Sequence, residues 1–193
     1  MSRDLSGIEM LSRMTEKKMR TRMMNGWKGS DDTVCGKGST LANTEALRVY
    51  LPDVIERYAI RSICDAGAGD RYWIKHASLD GIDYKAFDLV PRDETVVELD
   101  ISTQPLPSCD LILCRQVLNH LDPFRVQDAL TLFEKSGKYL LATTHDNKKL
   151  ARYCDYSRWD LACAPFWLGE PLERIRDATA TESDCFIALW KLG

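Results

Sequence analysis

The sequence predicts an α/β fold built on a mostly parallel sheet with helices on both faces, and three observations carry that prediction. From Ile60 onward, short apolar runs alternate with turns and helical stretches, as a parallel sheet covered by helices requires. One run, Ser62-Ile63-Cys64-Asp65, ends in an aspartate and opens into Gly67-Ala68-Gly69, so a buried strand stops at a carboxylate and turns through glycines at an edge where ligands bind. The length of 193 residues, 45% of them hydrophobic and 28% charged, suits one domain with a full core and a solvated surface.

Taken in order, the lead from about Ile8 to Met24 sets Met10, Leu11, Met14 and Met23 among Lys17, Lys18, Arg20 and Arg22. That pattern is compatible with a basic amphipathic helix, either packed on the domain or contacting an anionic substrate. A loop rich in Gly, Asn and Asp runs from Asn25 to Asp32 and on through Cys35-Gly36-Lys37-Gly38-Ser39-Thr40 to a helix N-cap at Ser39 or Thr40. Residues 1–38 are therefore expected as an N-terminal helix and loop covering the ligand site of a single domain spanning 1–193. The helix runs through Leu41, Glu45, Leu47, Tyr50, Leu51, Val54 and Ile55 to about Tyr58, with Pro52 kinking it or dividing it in two.

Strands are expected near Ser62–Asp65, Tyr84–Asp88, Thr95–Leu99, Asp110–Cys114, Tyr139–Thr143 and Phe186–Trp190, with a helix near Pro123–Ser136 and a short one near Glu170–Arg176. The last strand, after the polar run 179–184, reads as an antiparallel addition. Only Leu89–Glu94 separates the second strand from the third, whereas a parallel crossover usually takes about a dozen residues or more. This crossover must be stripped to a loop, or the third strand shifted, and the sheet edge is reduced there.

The formal net charge of -3 argues against broad nonspecific binding to a polyanion, which depends on many phosphate contacts from Lys and Arg. No apolar run approaches the roughly 18 to 20 residues of a membrane span, and Met1-Ser2-Arg3-Asp4 does not open a signal peptide, so a cytoplasmic protein is expected. Seven cysteines, none at CxxC spacing, read as reduced thiols without a structural metal.

The glycine turn discriminates among cofactors. A dinucleotide site of the GxGxxG or GxGxxA kind needs a third small residue, and Tyr72 stands there. A cofactor without a pyrophosphate fits better, and S-adenosylmethionine (SAM) is one, an adenosine joined to a methionine through a positively charged sulfonium. Asp65 can accept from its amino group, and Gly67 and Gly69 allow close backbone approach. Asp88, about twenty residues on at the end of the second strand, is where nucleotide-binding sheets hold a ribose. Asp100 and Ile101, after the third strand, offer an acceptor and an apolar wall to an adenine.

On these residues the chain resembles the class I (Rossmann-like) SAM-dependent methyltransferases, from about Cys35 to Leu192. The likeness rests on Asp65-Ala66-Gly67-Ala68-Gly69-Asp70, Asp88, Asp100-Ile101 and Cys114-Arg115-Gln116-Val117-Leu118-Asn119-His120-Leu121. It is similar to a small bacterial and phage branch with a Ser-Gly-Pro-Gly-Ser-type loop, matched by Cys35-Gly36-Lys37-Gly38-Ser39, and a Cys-Arg-Asp-x-Leu-x-His-Leu-type segment after the fourth strand. The resemblance implies that Asp65, Gly67 and Gly69 contact the methionine end, Asp88 the ribose, and Asp100 and Ile101 the adenine. It also implies that Cys114, Arg115 and Gln116 lie beside the transferable methyl. The chain departs from the pattern at Asp70 and Arg71, which replace a further glycine, at Lys37, which replaces the loop proline, and in the short crossover after Asp88.

Methyl transfer from a sulfonium is an in-line displacement, so alignment of the nucleophile and exclusion of water come before acid–base chemistry. Candidate bases are His120 and Asp122 after the fourth strand and His145 and Asp146 after the fifth. His120 either faces substrate or plays a structural part, bonding backbone or capping the helix that begins near Pro123, and Asp122, directly before Pro123, carries an N-cap signal. Arg115, directly after a buried strand, must reach solvent, an acid or a ligand. Trp73, Trp159, Phe166 and Trp167 either wall the site or pack in the core.

No (Asp/Asn/Ser)-Pro-Pro-(Tyr/Phe) motif or Pro-Cys pair marks a DNA methyltransferase, and no separate recognition domain is visible. A small-molecule or nucleotide-like acceptor is expected, with nucleic acid not favoured. The alternatives are a non-catalytic SAM-binding protein on the same fold and a SAM-consuming enzyme of another type, a lyase or a transferase of another group.

Overall fold

The computed structural model describes residues 20–21, 24–26, 30–146, 156–177 and 184–193. Most of the basic N-terminal segment, including Lys17, Lys18 and Arg22, lies outside them, as does Cys154. Among the described residues seven strands form one sheet: β1 (Ser62–Ala66), β2 (Asp83–Asp88), β3 (Val96–Glu98), β4 (Cys109–Cys114), β5 (Gly137–His145), β6 (Glu173–Arg176) and β7 (Cys185–Lys191). Their order is β3-β2-β1-β4-β5-β7-β6. The first five pair in parallel, and β7 pairs antiparallel with both β5 and β6.

The central strands are apolar on both faces because each face carries a helix. α1 (Leu41–Arg57) buries Leu47, Leu51 and Val54, spaced on one helical stripe, against Ile63, Leu111, Leu113, Leu141, Ile187 and Leu189. α2 (Pro123–Ser136) buries Val126, Ala129, Leu130 and Phe133 against Cys64, Ile112, Cys114, Leu140, Ala142 and Ala188. Neighbouring residues thus alternate between the two cores, the period of two that a strand imposes. Each large side chain so buried contributes roughly 1.5–3 kcal/mol.

Thr40 is the N-cap of α1, its Oγ1 accepting from Asn43 N, and the helix runs through Pro52 unbroken. Asp122 caps α2 by accepting from the backbone N–H of Phe124 and Arg125, with Pro123 in the first turn.

The expected helix near Glu170–Arg176 is instead strand β6. Glu173-Arg174-Ile175-Arg176 alternates in burial, and Ile175 packs against the core on the α1 face. Charged side chains on an exposed edge strand protect it from further pairing, and this composition is what made the segment resemble a surface helix.

The short crossover after Asp88 is a loop, and β3 is only three residues long. The connections from β1 to β2 and from β3 to β4 also lack an α-helix; the first carries a three-residue 3-10 turn, Ile74–His76. Arg20 donates to Leu89 O and pairs with Glu98, both at 3.0 Å, and Arg92 donates to Met24 O, so the described part of the N-terminal segment rests on the thinned edge around β3.

Candidate functional site

Because β1, β2 and β4 run in parallel, their carboxyl ends bring Asp65, Asp88 and Arg115 to one edge of the sheet. β1 ends at Asp65-Ala66 and turns at Gly67, whose N–H donates to Phe87 O at 2.8 Å, joined by Ala68 N at 3.0 Å. The turn folds onto β2, and Gly69 N donates to Asp88 Oδ2 at 2.8 Å. Val90 N donates to Asp88 Oδ1 at 2.9 Å. Each Asp88 oxygen therefore keeps a further lone pair for a ligand hydroxyl. Burial raises its carboxyl pKa above the ordinary range, while the backbone donors pull it down.

Gly67 and Gly69 have φ of 94° and 59°, a region that strongly favours glycine. Space restricts them as well. A Cβ on Gly67 would lie 2.2 Å from Val117 Cγ2, and one on Gly69 2.5 Å from Cys35 Sγ. The turn is thus clamped between the segment after β4 and the loop before α1.

Asp70, one of the departures from the expected pattern, makes that second clamp. Its Oδ2 accepts from Thr33 Oγ1 at 2.6 Å and Val34 N at 3.1 Å, while its own N–H points to Cys35 Sγ at 3.4 Å. Burial, with the Asp70 charge alongside, pushes the Cys35 thiol up to about 11, so it is not a nucleophile at neutral pH. Arg71, the other departure, lies over the Tyr84 ring at 5.2 Å and bonds Thr95 Oγ1, tying the turn to the loop before β3.

Asp65 is buried and accepts from Tyr84 Oη at 2.5 Å. Burial pushes its carboxyl up to about 7, against the lowering effect of the tyrosine. Asp100 caps the turn after β3, accepting from Ser102 N and Oγ, and pairs with Arg125 of α2. Its neighbour Ile101 is buried in the core on the α2 face.

β4 ends at Cys114, fully buried, its thiol pKa raised by that burial. Arg115 follows, also buried, and finds an acid: its Nη2 donates to Asp177 Oδ1 at 2.8 Å. Its guanidinium stands 5.9 Å from the Trp73 ring centroid. Gln116 has φ of 57°, an uncommon conformation for this residue, held by its N–H to Thr143 Oγ1 at 2.8 Å and its Nε2 to Asp177 Oδ2 at 2.9 Å.

Asp177 reaches this edge by topology. β6 is antiparallel to β7, which is antiparallel to β5, so β6 runs parallel to β4 and its carboxyl end emerges at the same side. Sequence reasoning missed Asp177 because it read this strand as a helix; a strand followed by an acid would have been the signal.

His120 lies in the 3-10 turn Leu118–His120 and His145 ends β5. Tyr156, also missed, brings them into one group: both imidazoles meet its ring edge-on, at 5.6 and 5.7 Å between centroids, and His145 Nε2 is 3.2 Å from its Oη. Asp122 is the α2 cap, and Asp146 pairs with Arg174 at the surface. Of the aromatic residues read as either a wall of the site or core packing, Trp73, Trp159 and Phe166 pack against the cores and Trp167 is exposed.

The methyltransferase domain family matches residues 35–176. No curated protein matches the sequence. Among solved structures, 1,6-didemethyltoxoflavin-N1-methyltransferase of Burkholderia thailandensis, with 1,6-didemethyltoxoflavin and S-adenosylhomocysteine bound, aligns with a TM-score of 0.68 at 14% identity over 94% of this chain and 91% of that one. The N-methyltransferase NodS of Bradyrhizobium japonicum, in complex with S-adenosylhomocysteine, gives 0.61 at 15% over 92% and 98%. Magnesium protoporphyrin IX methyltransferase of Synechocystis, also with S-adenosylhomocysteine, gives 0.61 at 12% over 96% and 99%. At these identities the likeness is one of fold. Among the described residues no helix is long and apolar enough to cross a membrane.

Proposed function

Since the chain belongs to the methyltransferase domain family, we propose that it is a SAM-dependent methyltransferase that methylates a small-molecule or nucleotide-like acceptor at the carboxyl edge of β1, β2 and β4. The carrying observation is the Gly69–Asp88 bond, which joins the glycine turn after β1 to the carboxylate ending β2 and leaves that carboxylate two lone pairs for a diol. When bound, SAM supplies a methyl group on a positively charged sulfur.

In this reading Asp88 holds the ribose, and Ile101 faces the adenine with Asp100, already tied to Arg125, beside it. Asp65, Gly67 and Gly69 take the methionine end, where a buried carboxyl favours a cationic ligand that restores its ionised form. Cys114, Arg115 and Gln116 border the reacting centre. The histidines grouped around Tyr156, His120 and His145, are the residues to take a proton from the acceptor, with Arg115, held by Asp177, as the third candidate catalytic residue at the end of β4. The small-molecule acceptors named for the solved relatives support this choice over nucleic acid.

Calorimetry tests the cofactor half. The wild-type protein binds S-adenosylhomocysteine, and Asp88→Asn, which keeps the side-chain size, weakens it about tenfold, the worth of a hydrogen bond to a charged group. Absence of binding at high micromolar ligand, or unchanged affinity in the variant, overturns the assignment. Labelled methyl transfer into a metabolite extract, with S-adenosylhomocysteine as co-product, supports the reaction; methylthioadenosine instead marks lysis and overturns it.

A further inference from the structure

Four side chains at the carboxyl edge of β4 form a relay whose polarity is fixed at one end and open at the other. Asp177, paired with Arg115 at 2.8 Å and buried, offers only acceptors. Gln116 must therefore present its Nε2 to Asp177, as it does at 2.9 Å. Its Oε1 is left to accept, and Asn119 Nδ2 donates to it at 3.3 Å. The amide of Asn119 is thereby oriented, and its Oδ1 ends the chain buried, with no hydrogen-bond partner among the described residues. A buried carbonyl oxygen without a donor is rare and unfavourable.

The location gives this vacancy a use. Asn119 lies in the 3-10 turn between Arg115 and α2, its backbone O accepts from Ser157 N at 2.6 Å, and its chain neighbour His120 packs against Tyr156. Two unusual backbone and charge features serve the same turn: the left-handed Gln116 and a buried ion pair that has no role in the sheet's hydrogen bonding. Arg115 Nε, a donor, is likewise buried without a partner among the described residues.

We propose that Asn119 Oδ1 accepts a hydrogen bond from the N–H of an amine or ring-nitrogen acceptor, turning its lone pair toward the methyl group, and that Asp177, Arg115 and Gln116 are positioning residues that fix the amide's orientation. This inference rests on the reading of the site as a SAM site and names its acceptor class, a nitrogen nucleophile. A nitrogen can donate an N–H to this oxygen and keep its lone pair for the methyl, whereas a hydroxyl held there retains the proton it must lose to become a strong nucleophile, and a deprotonated oxygen meets only repulsion.

Sinefungin tests it without knowledge of the acceptor, because this cofactor analogue carries an amino group where SAM carries the methyl. Calorimetry compares sinefungin with S-adenosylhomocysteine, which lacks that group. The wild-type protein prefers sinefungin by about tenfold or more, as one hydrogen bond to a charged donor requires. Asn119→Leu brings the ratio near one while S-adenosylhomocysteine affinity stays within about threefold, which also shows that the fold is intact. Asn119→Asp restores the preference, since its protonated form donates to Gln116 Oε1 and keeps an oxygen outward, and its ionised form attracts the amine more strongly. An unchanged ratio in Asn119→Leu, or loss of preference in Asn119→Asp, overturns the proposal while leaving the SAM site standing. Failure of the wild-type protein to bind either compound overturns both.

Discussion

At the ends of β1 and β2, carboxylates meet backbone amides and near neighbours; at the ends of β4 and β6, side chains meet side chains from distant parts of the chain. Asp88 is held by Gly69 N and Val90 N, and Asp70 by the Thr33–Val34 loop and Tyr72 N. Arg115 depends on Asp177, 62 residues away, and His145 on Tyr156 across the β5–β6 connection. The first half is a preformed cradle whose donors are mostly main-chain N–H groups, joined by the hydroxyls of Tyr84 and Thr33. The second is a network of side chains that orient one another, and it is the half to which the proposed function gives the acceptor.

The largest expected effect breaks the second half. Arg115→Leu strands a buried Asp177 carboxylate and costs about 3–5 kcal/mol in urea unfolding, whereas Arg115→Leu combined with Asp177→Leu regains most of it. A single-variant loss below about 1 kcal/mol would mean that the pair is not what holds this half.

Next comes Asp65, at the heart of the cradle. Its carboxyl lies at about 7 in the fold against an ordinary 3.8, raised by burial. Between those values the folded state keeps a proton that the unfolded state releases. Its contribution is therefore full below pH 3.8 and lost as pH rises through 7, by up to about 4 kcal/mol. Asp65→Asn removes this slope, so the stability of the variant relative to wild type grows between pH 4.5 and 8, while its affinity for S-adenosylhomocysteine falls. A pH-independent difference in unfolding midpoints would break the contrast between an electrostatically costly cradle and the ion-paired ends of β4 and β6.

The smallest effect probes the seam between the halves. Gly67→Ala brings a methyl against Val117 in a left-handed backbone, costing roughly 1–3 kcal/mol, and Val117→Ala in the same chain recovers part of it. No recovery would assign the whole penalty to backbone conformation.

Much of the first half was legible because its chemistry is local. Asp65, Gly67, Gly69 and Asp88 stand at strand ends that apolar runs mark, and the stripped crossover after Asp88 follows from counting residues. Asp122 as a cap was legible for the same reason, since an acid before Pro123 needs only its own helix. Asp177 and Tyr156 were not. Both follow from the course of the chain after β5, and the charged edge strand β6 carries a helix-like composition that hid the acid at its end.

Sequence by itself determined that this chain folds as an α/β sheet with a glycine turn and acidic strand ends, because burial periodicity and turn chemistry act over a few residues. Only the tertiary structure decided what gathers at the carboxyl end of β4. Two antiparallel pairings turn β6 back into the parallel direction and bring Asp177 to Arg115. The relay to Asn119 then depends on the direction of each hydrogen bond in a buried network, which no local pattern encodes.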